Sequence, residues 1–495
     1  MPNSEIPWKK IAVFDINHGG LSIASRLKKY GTDVAAFDVY EKTPDETLKR
    51  YAGENGYPVS ANTKDLEEDF EIVCLPIHLN PKNIFYKKAE ELDLPTITHH
   101  EMVGRLLRSD ERVADMNLIE ITGVRGKTST AILLAQMLAY KNKVVLHTSE
   151  GLSYWEKEKK EGIAPGISIT PAYIPDMIDL IISRGYKPDT FIFEISLGYT
   201  GAQDIGILTE AQPDYLIGGG TLSSTDAKTK LISRSKEGSL FVINYDDLET
   251  IEKFIRKDQE LVVFDESGAG IEDQTPTDVY LDVVIGKDGT QAVDIESSRA
   301  GVFFRAELND GYDIHSYKTA MAAAVATALE SDISEAQITE VISSFSGVEG
   351  RMREYEENGR RILDNSNSGL TIHSAETSLN YMTEKYLNKK SPNYDADNTG
   401  DVWLIIGEED KTVCEGLEPE DIEALLRNYA EMIQNIILVG SRIKSNMENQ
   451  TNADSSEELK FETALYADTF KDGMKKALEN AKEGDIIIAA VKCFR

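Results

Sequence analysis

The chain has 495 residues and carries 85 acidic against 53 basic side chains, a net charge of −32 at pH 7. That balance argues against a nucleic-acid partner or an anionic membrane surface, while leaving room for a local basic pocket. The length indicates about two to four domains; no apolar run approaches the roughly 18 residues of a membrane span, and Met1–Lys10 does not read as a signal peptide. Cys74, Cys414 and Cys493 are widely spaced. They form neither a disulfide framework nor a zinc signature, which fits a reducing, cytoplasmic setting.

The first segment reads as an α/β unit. Ile11–Phe14 is a buried strand, Asn17-His18-Gly19-Gly20 a glycine turn, Leu21–Tyr30 a helix with Gly31 at its C-cap, and Val34–Phe37 a second strand ending at Asp38. This has the shape of a Rossmann start, but the G-x-G-x-x-G fingerprint is missing. Asp38 stands at about the distance expected of a ribose-binding acid. A dinucleotide site and a domain that keeps the fold for another ligand are both open readings. Ile72–Leu75 continues the parallel pattern. Thr98-His99-His100-Glu101 could be a metal cluster, or a loop and the first turn of the helix Met102–Leu107. The polar stretch Ser109–Asp115 is a domain boundary.

Leu118–Thr122 then reads as a strand, breaks at Gly123 and Gly126, and restarts as a helix to about Tyr140. A strand, a glycine turn and a helix N-terminus make an anion site, because free N–H groups and the helix dipole face the turn. Lys127 adds charge for β- and γ-phosphates and the Thr128 hydroxyl suits Mg²⁺. The full G-x-x-x-x-G-K-[ST] motif would need glycine at Ile121; the shorter G-x-x-G-K-[ST]-[ST] fits Gly123-Val124-Arg125-Gly126-Lys127-Thr128-Ser129. An ATP loop and a structural turn are the two readings.

Further strands are expected at Val144–Thr148, Asp189–Ser196, Asp214–Ile217 and Leu240–Asn244, with an antiparallel β-rich stretch from Val279 to Phe304 and an Ala-rich helix Ala320–Leu329. Glu194 ends an apolar run. In an open α/β sheet ligands bind at that edge, so Glu194 is a candidate Mg²⁺ ligand, or else a solvated strand end. Beyond Gly347, strands at Arg361–Asp364, Trp403–Gly407, Ile436–Gly440 and Asp485–Ala489, with a helix from His373 to Tyr386, give another parallel sheet. Ser391–Gly400 and Ser445–Glu458 read as polar surface segments.

Taken in order, these features resemble the Mur ligase family over nearly the whole chain. Ile121–Thr130 is similar to its nucleotide loop, Thr170-Pro171 to its T-T-P segment, and Phe193–Ser196 to a strand end whose Glu binds Mg²⁺. Ala227-Lys228 falls where relatives carry an often carbamylated lysine, and Asn244–Asp247 resembles N-x-D-D. Gly347–Met352 resembles G-V-x-G-R-M, whose arginine, here Arg351, reaches the ATP phosphates; Asp364 matches an acid associated with the ribose. The resemblance implies three α/β domains: a Rossmann-like substrate domain over residues 1–113, a P-loop ATPase-type domain over 114–346 and a Rossmann-like domain over 347–495. It implies ATP and Mg²⁺ as cofactors, a small-molecule substrate, and a monomer or homodimer.

The departures fall on the acceptor side. N-x-x-x-D-H is replaced by Gly218–Ser224, both asparagines of the adenine segment beginning at His315 are replaced, and no amino-acid recognition motif appears near Asp364–Gly369. These departures, with the Asp15–Gly20 turn and His99-His100-Glu101, resemble a branch of methanogenic archaea that closes a carbocyclic ring on a nickel tetrapyrrole carboxylate. That narrower resemblance nominates Asn17, His18, Gly19, Gly20, His99 and His100 as substrate contacts. The expected chemistry is activation of a carboxylate as an acyl phosphate by Lys127, Glu194, Lys228 and Arg351. A peptide ligase adding an amino acid and a dinucleotide-binding oxidoreductase are the alternatives.

Overall fold

The computed structural model describes residues 5–272, 277–286, 290–389, 391, 400–409, 416–444 and 463–494. The surface segment expected at Ser445–Glu458, most of that at Ser391–Gly400, and Cys414 lie outside them. The chain divides into two units: residues 1–282, 294–304 and 319–338, and residues 283–293, 305–318 and 339–495.

The first unit begins with a five-stranded sheet. Its strands are β1 (Lys10–Phe14), β2 (Asp33–Phe37), β3 (Val59–Ser60), β4 (Ile72–Leu75) and β5 (Thr96–Thr98), in the order β3-β2-β1-β4-β5 and parallel throughout. The β-branched and apolar runs Ile11–Phe14 and Ile72–Leu75 are buried on both faces, as a helix-covered parallel sheet requires. Helices α1 (Gly20–Lys29), α2 (Asp45–Asn55), α3 (Ile84–Glu91) and α4 (His99–Arg108) complete it. Ile23 and Leu27 of α1 share one core with Met102, Val103 and Leu106 of α4, while Phe14, Phe37, Phe70 and Phe85 fill another. Strand order reverses between β1 and β4, which opens a crevice at their C-terminal ends.

The second sheet holds eleven strands: β6 (Asn117–Thr122), β7 (Val144–Thr148), β8 (Gly151–Glu156), β9 (Lys159–Pro165), β10 (Thr190–Glu194), β11 (Ile205–Leu208), β14 (Leu240–Asn244), β15 (Glu260–Asp265), β16 (Val279–Ile285), β17 (Gln291–Ser297) and β18 (Val302–Glu307), with the pair β12 (Leu216–Ile217) and β13 (Leu222–Ser223) standing apart. The parallel core runs β7-β10-β6-β11-β14-β15. Helix α5 (Lys127–Leu138) leaves the end of β6; α6 (Ile174–Ser183) and α7 (Ser224–Thr229) follow.

One expectation is corrected here. The strand after β10 is Ile205–Leu208, not Asp214–Ile217. A four-residue run interrupted by Gly206 gives a weak strand signal, yet glycine is what the sheet needs there: a Cβ would meet the Phe241 ring at 2.8 Å. Asp214–Ile217 instead leads into the antiparallel β12–β13 hairpin. Its turn, Gly218-Gly219-Gly220, has positive φ at all three residues, a path that only glycine follows without strain.

The second unit contains β19 (Arg353–Glu357), β20 (Arg360–Asp364), β21 (Val402–Glu408), β22 (Asn435–Val439), β23 (Thr463–Ala467) and β24 (Ile486–Lys492), in the order β19-β20-β24-β21-β22-β23. The β19–β20 hairpin is antiparallel and the rest parallel. Among the described residues no helix is long and apolar enough to cross a membrane.

Candidate active site

At the end of β6 the chain turns through Gly123 and Gly126. Gly126 caps α5 with φ 80°. Gly123 has φ 149°, and a Cβ there would lie 2.0 Å from Thr209 Oγ1. The loop is therefore pressed onto Thr209 and Glu210, the residues that follow β11. Thr209 donates its hydroxyl to Arg125 O at 2.5 Å, Val124 N donates to Glu210 O at 2.8 Å, and Arg125 Nε reaches Glu210 Oε2 at 2.9 Å. Sequence reading missed this Thr-Glu pair. The signal available was polar residues directly following an apolar run.

Lys127, first in α5, folds back with Nζ 3.0 Å from Gly123 O and 3.4 Å from Val124 O. Its ammonium thus sits within the arch of the loop. Thr128 points to the other side. Its hydroxyl donates to both oxygens of Glu194, at 2.9 and 3.1 Å, and Ser149 N donates to the same carboxylate at 3.1 Å. Adjacent registers bring them together: Glu194 ends β10 opposite Ile121 of β6. Thr128 and Glu194 are both buried. A buried hydroxyl and carboxylate are hard oxygen donors of the kind that fit Mg²⁺.

Lys228 is buried in α7, which rests on Gly198 just beyond Glu194; a Cβ on Gly198 would come within 2.8 Å of Ala227 O. Its Nζ donates to Ser224 Oγ at 3.0 Å and lies 5.0 Å from the centre of the Tyr215 ring. Burial, aided by the charge of Lys127, pulls its pKa down to about 8, so a neutral amine is far more accessible than in a solvated lysine. Asp214 holds this region by accepting from Ser223, Ser224 and Thr225, and those bonds keep its pKa below the usual carboxylate value. Asp247, from the N-Y-D-D segment, accepts from Ala211 N at 2.7 Å, and burial raises its pKa to about 6.

The remaining nucleotide candidates lie in the second unit. Arg351 follows Gly350 in a tight turn, with Arg351 N bonded to Val348 O at 3.0 Å and its own carbonyl accepting from Tyr317 Oη. Arg353 pairs with Asp364 across β19–β20, which places Asp364 near Arg351. Asp364 is buried and accepts from Ser366 N at 3.0 Å. His315 is exposed in the first turn of the helix Ile314–Glu330.

The substrate candidates divide. His99 Nε2 lies 3.0 Å from Phe14 O, and His100 Nε2 lies 2.8 Å from Ser196 O. Both rings are buried, and burial lowers both pKa values to about 4, so they are neutral. They tie α4 to the ends of β1 and β10 and form no metal cluster with Glu101, which instead faces Arg105 and Arg234. Gly19 is explained by contact: a Cβ would lie 2.4 Å from Ala172 Cβ, beside Pro171. Gly20 is crowded by Asp15 O at 2.6 Å. Asn17 and His18 are exposed. Asp38, at the distance of a ribose-binding acid, is buried and accepts from Asn17 Nδ2, Tyr40 N and Thr43 N.

Glu120, inside β6, is a further buried carboxylate that the sequence reading passed over. Thr200 donates both its N–H, at 2.7 Å, and its hydroxyl to it. Burial outweighs those bonds and pushes its pKa from 4.5 up to about 7. A folded pKa above the unfolded one means stability present below pH 4.5 and lost as pH rises through 7. Glu120→Gln, whose amide oxygen still accepts from Thr200, should flatten the stability profile across that window. Thermal melts at stepped pH test this; an unchanged slope refutes it.

Comparison with known proteins places this geometry in a family. Residues 121–304 match the Mur ligase middle domain, and residues 354–493 match the family described as coenzyme F430 synthetase CfbE, C-terminal domain. The coenzyme F(430) synthetase of Methanosarcina acetivorans is 37% identical over 98% of this chain and 99% of its own. The chain belongs to the coenzyme F(430) synthetase family. Members of the wider Mur ligase group are more distant: the UDP-N-acetylmuramoylalanine–D-glutamate ligase of Caldicellulosiruptor saccharolyticus is 22% identical over 98% of this chain and 94% of its own. Among solved structures, MurF of Acinetobacter baumannii superposes with a TM-score of 0.56 at 13% identity, covering 97% of this chain and 90% of that one. MurF of Thermotoga maritima in complex with ADP gives 0.51 at 15% identity, covering 88% and 94%. The synthetase family therefore shares the multi-domain α/β fold of the Mur ligases, and the Gly123–Ser129 loop described above lies within the matched middle domain.

Proposed function

We propose that this chain uses ATP to activate a propionate carboxylate of a nickel tetrapyrrole, seco-F-430, and closes a carbocyclic ring on it. The observation that carries the reading is end-to-end similarity to a coenzyme F(430) synthetase, together with the Lys127–Thr128–Glu194 arrangement at the end of β6. The substrate carboxylate attacks the γ-phosphorus; an O–P bond forms, the bridging P–O bond breaks, and its electron pair leaves with ADP. Two anions must approach, so the site supplies positive charge. Lys127 and the α5 N-terminus bear on the phosphates, and Arg351 is assigned to the γ-phosphate. Thr128 and Glu194 would hold Mg²⁺, which neutralises phosphate charge when bound.

A carbon of the same macrocycle then attacks the acyl phosphate. A C–C bond forms, the acyl C–O bond breaks, phosphate leaves and the carbon loses a proton. Tethering makes this step effectively unimolecular, so no site for a free amine is needed. We assign nucleotide binding to Gly123–Ser129, His315, Arg351 and Asp364, and keep the three-part division at residues 113 and 346. The reaction belongs in the cytoplasm, by a monomer or homodimer.

The test omits every amine. Purified protein with the seco-acid, ATP and Mg²⁺ should give a product lighter than its substrate by one water, with ADP and phosphate released in equal amounts. A product that appears only with an added amino acid or ammonia, and is heavier than the substrate, would establish the peptide-ligase reading instead.

A further inference from the structure

The crevice of the first sheet holds a group of side chains that the nucleotide chemistry does not use. Asp15 follows β1, and His78 lies three residues beyond the end of β4. These are the two strands between which strand order reverses, the position where open α/β sheets bind ligands. Asp15 is fully buried, with φ 65°. Its Oδ1 accepts from Asn17 N and His18 N, both at 3.2 Å, and its Oδ2 lies 2.7 Å from His18 Nδ1. The His18 ring stands edge-to-face with His78 at 5.8 Å and with Tyr40 at 6.0 Å. One donor atom from each of Asp15, His18 and His78 lies within 4.8 Å of the others.

A carboxylate behind one ring nitrogen fixes the tautomer, orients the ring and leaves the other nitrogen as a lone pair, which is how metal-binding histidines are held. The His18 side chain is 46% exposed, so that face can be reached. The Gly218–Gly219 segment packs beside the His78 turn: a Cβ on Gly218 would lie 3.6 Å from His78 O, and one on Gly219 would meet Asn80 Nδ2 at 2.0 Å. The loop that replaces the usual Asp-His segment thus abuts the turn that carries His78.

The geometry points to a nitrogen-donor site at the β1–β4 crevice, built from His18 and His78 with Asp15, for a first-row divalent transition metal. Two imidazoles select nickel, cobalt, copper or zinc over Mg²⁺ and Ca²⁺, which favour oxygen ligands. The metal has two possible sources, a free ion or the nickel held in a tetrapyrrole substrate. The second rests on the function proposed above; the first does not.

The experiment uses the full chain, wild type and the variants His18→Gln, His78→Ala and the double substitution, each checked by thermal melting. In one arm Co²⁺ is titrated, with d–d absorption and calorimetry as readouts. In the other, the visible spectrum of the nickel seco-acid is recorded as protein is added, and ADP release is measured in the same samples. Binding by the wild type in either arm, weakened by about 10-fold or more by each histidine substitution, since loss of even an outer-shell partner costs that much, supports the site; the arm that responds names the source. No metal-dependent signal from the wild type in both arms, or binding undiminished in the double variant, overturns it. ADP release with the seco-acid separates the two ideas: its presence without a histidine-dependent signal overturns only the metal site, and its absence overturns the proposed reaction.

Discussion

Lys127→Ala is expected to lower product formation by a factor on the order of 10²–10³, the typical loss when one preorganised charge contact is removed. The ammonium already sits inside the loop, 3.0 Å from Gly123 O, so on the proposed reading it would meet the phosphates without reorganising the chain. The fold should survive, because the loop is anchored independently by Val124 N to Glu210 O and by Thr209 to Arg125 O. A melting curve matching wild type with ADP release nearly abolished is the expected pair of results. Turnover within about threefold of wild type would sink the assignment of this loop to ATP, since such a change is smaller than any single transition-state charge contact is worth. Lys127→Arg is a useful companion: it restores charge but not the compact ammonium, and should recover little.

The sequence made long apolar runs and local loop chemistry legible. β1, β4, β6, β7, β10, β14, β21, β22 and β24 all stand where β-branched runs predict them, because both faces of a helix-covered strand are buried and the signal is continuous. Gly123–Ser129 was equally clear, since strand, turn and helix N-terminus are contiguous. β11 was not, because Ile205–Leu208 is short and holds a glycine whose purpose, making room for Phe241, belongs to another strand. β19 and β23 alternate or carry few apolar residues, and their register is set by neighbours far along the chain.

Site residues follow the same rule. Thr128 and Glu194 were nominated separately, but their contact depends on β10 pairing beside β6. His99 and His100 invited a metal reading because two imidazoles stood adjacent in sequence. Adjacent residues on a helix point in different directions, and the two rings bond to carbonyls far apart in the chain, Phe14 at the end of β1 and Ser196 two residues past β10. Asp15 and His78 carry the opposite lesson. Nothing in the 63-residue interval between them suggests a pair; the reversal of strand order brings them together.

Glu194→Ala should cost at least as much as Lys127→Ala, and more than Lys228→Ala. The carboxylate accepts from two donors, the Thr128 hydroxyl, whose one proton is shared between both oxygens, and Ser149 N. Its removal strips a buried charge from the end of the phosphate loop and leaves both donors without that acceptor. Loss of one such group is worth on the order of 10²–10³ in rate. Lys228 donates to Ser224 and stands over the Tyr215 ring, outside the Thr128–Glu194 pair, though near enough to Lys127 to feel its charge; glycines begin the segment where the resemblance implies an Asp-His that would complete a second cation site with it. Glu194→Gln isolates the charge. The amide oxygen still accepts from Ser149 N and Thr128, so the β6–β10 edge holds, while the anionic ligand is gone. The expected result is a wild-type melting temperature, activity recovered only in part at high Mg²⁺, and a Mg²⁺ requirement shifted upward by about tenfold or more, as for a lost carboxylate ligand. A Lys228→Ala loss exceeding that of Glu194→Ala would reverse the ranking and move the essential cation site to α7. A Glu194→Gln enzyme with unaltered Mg²⁺ dependence would show that the carboxylate only braces the sheet edge.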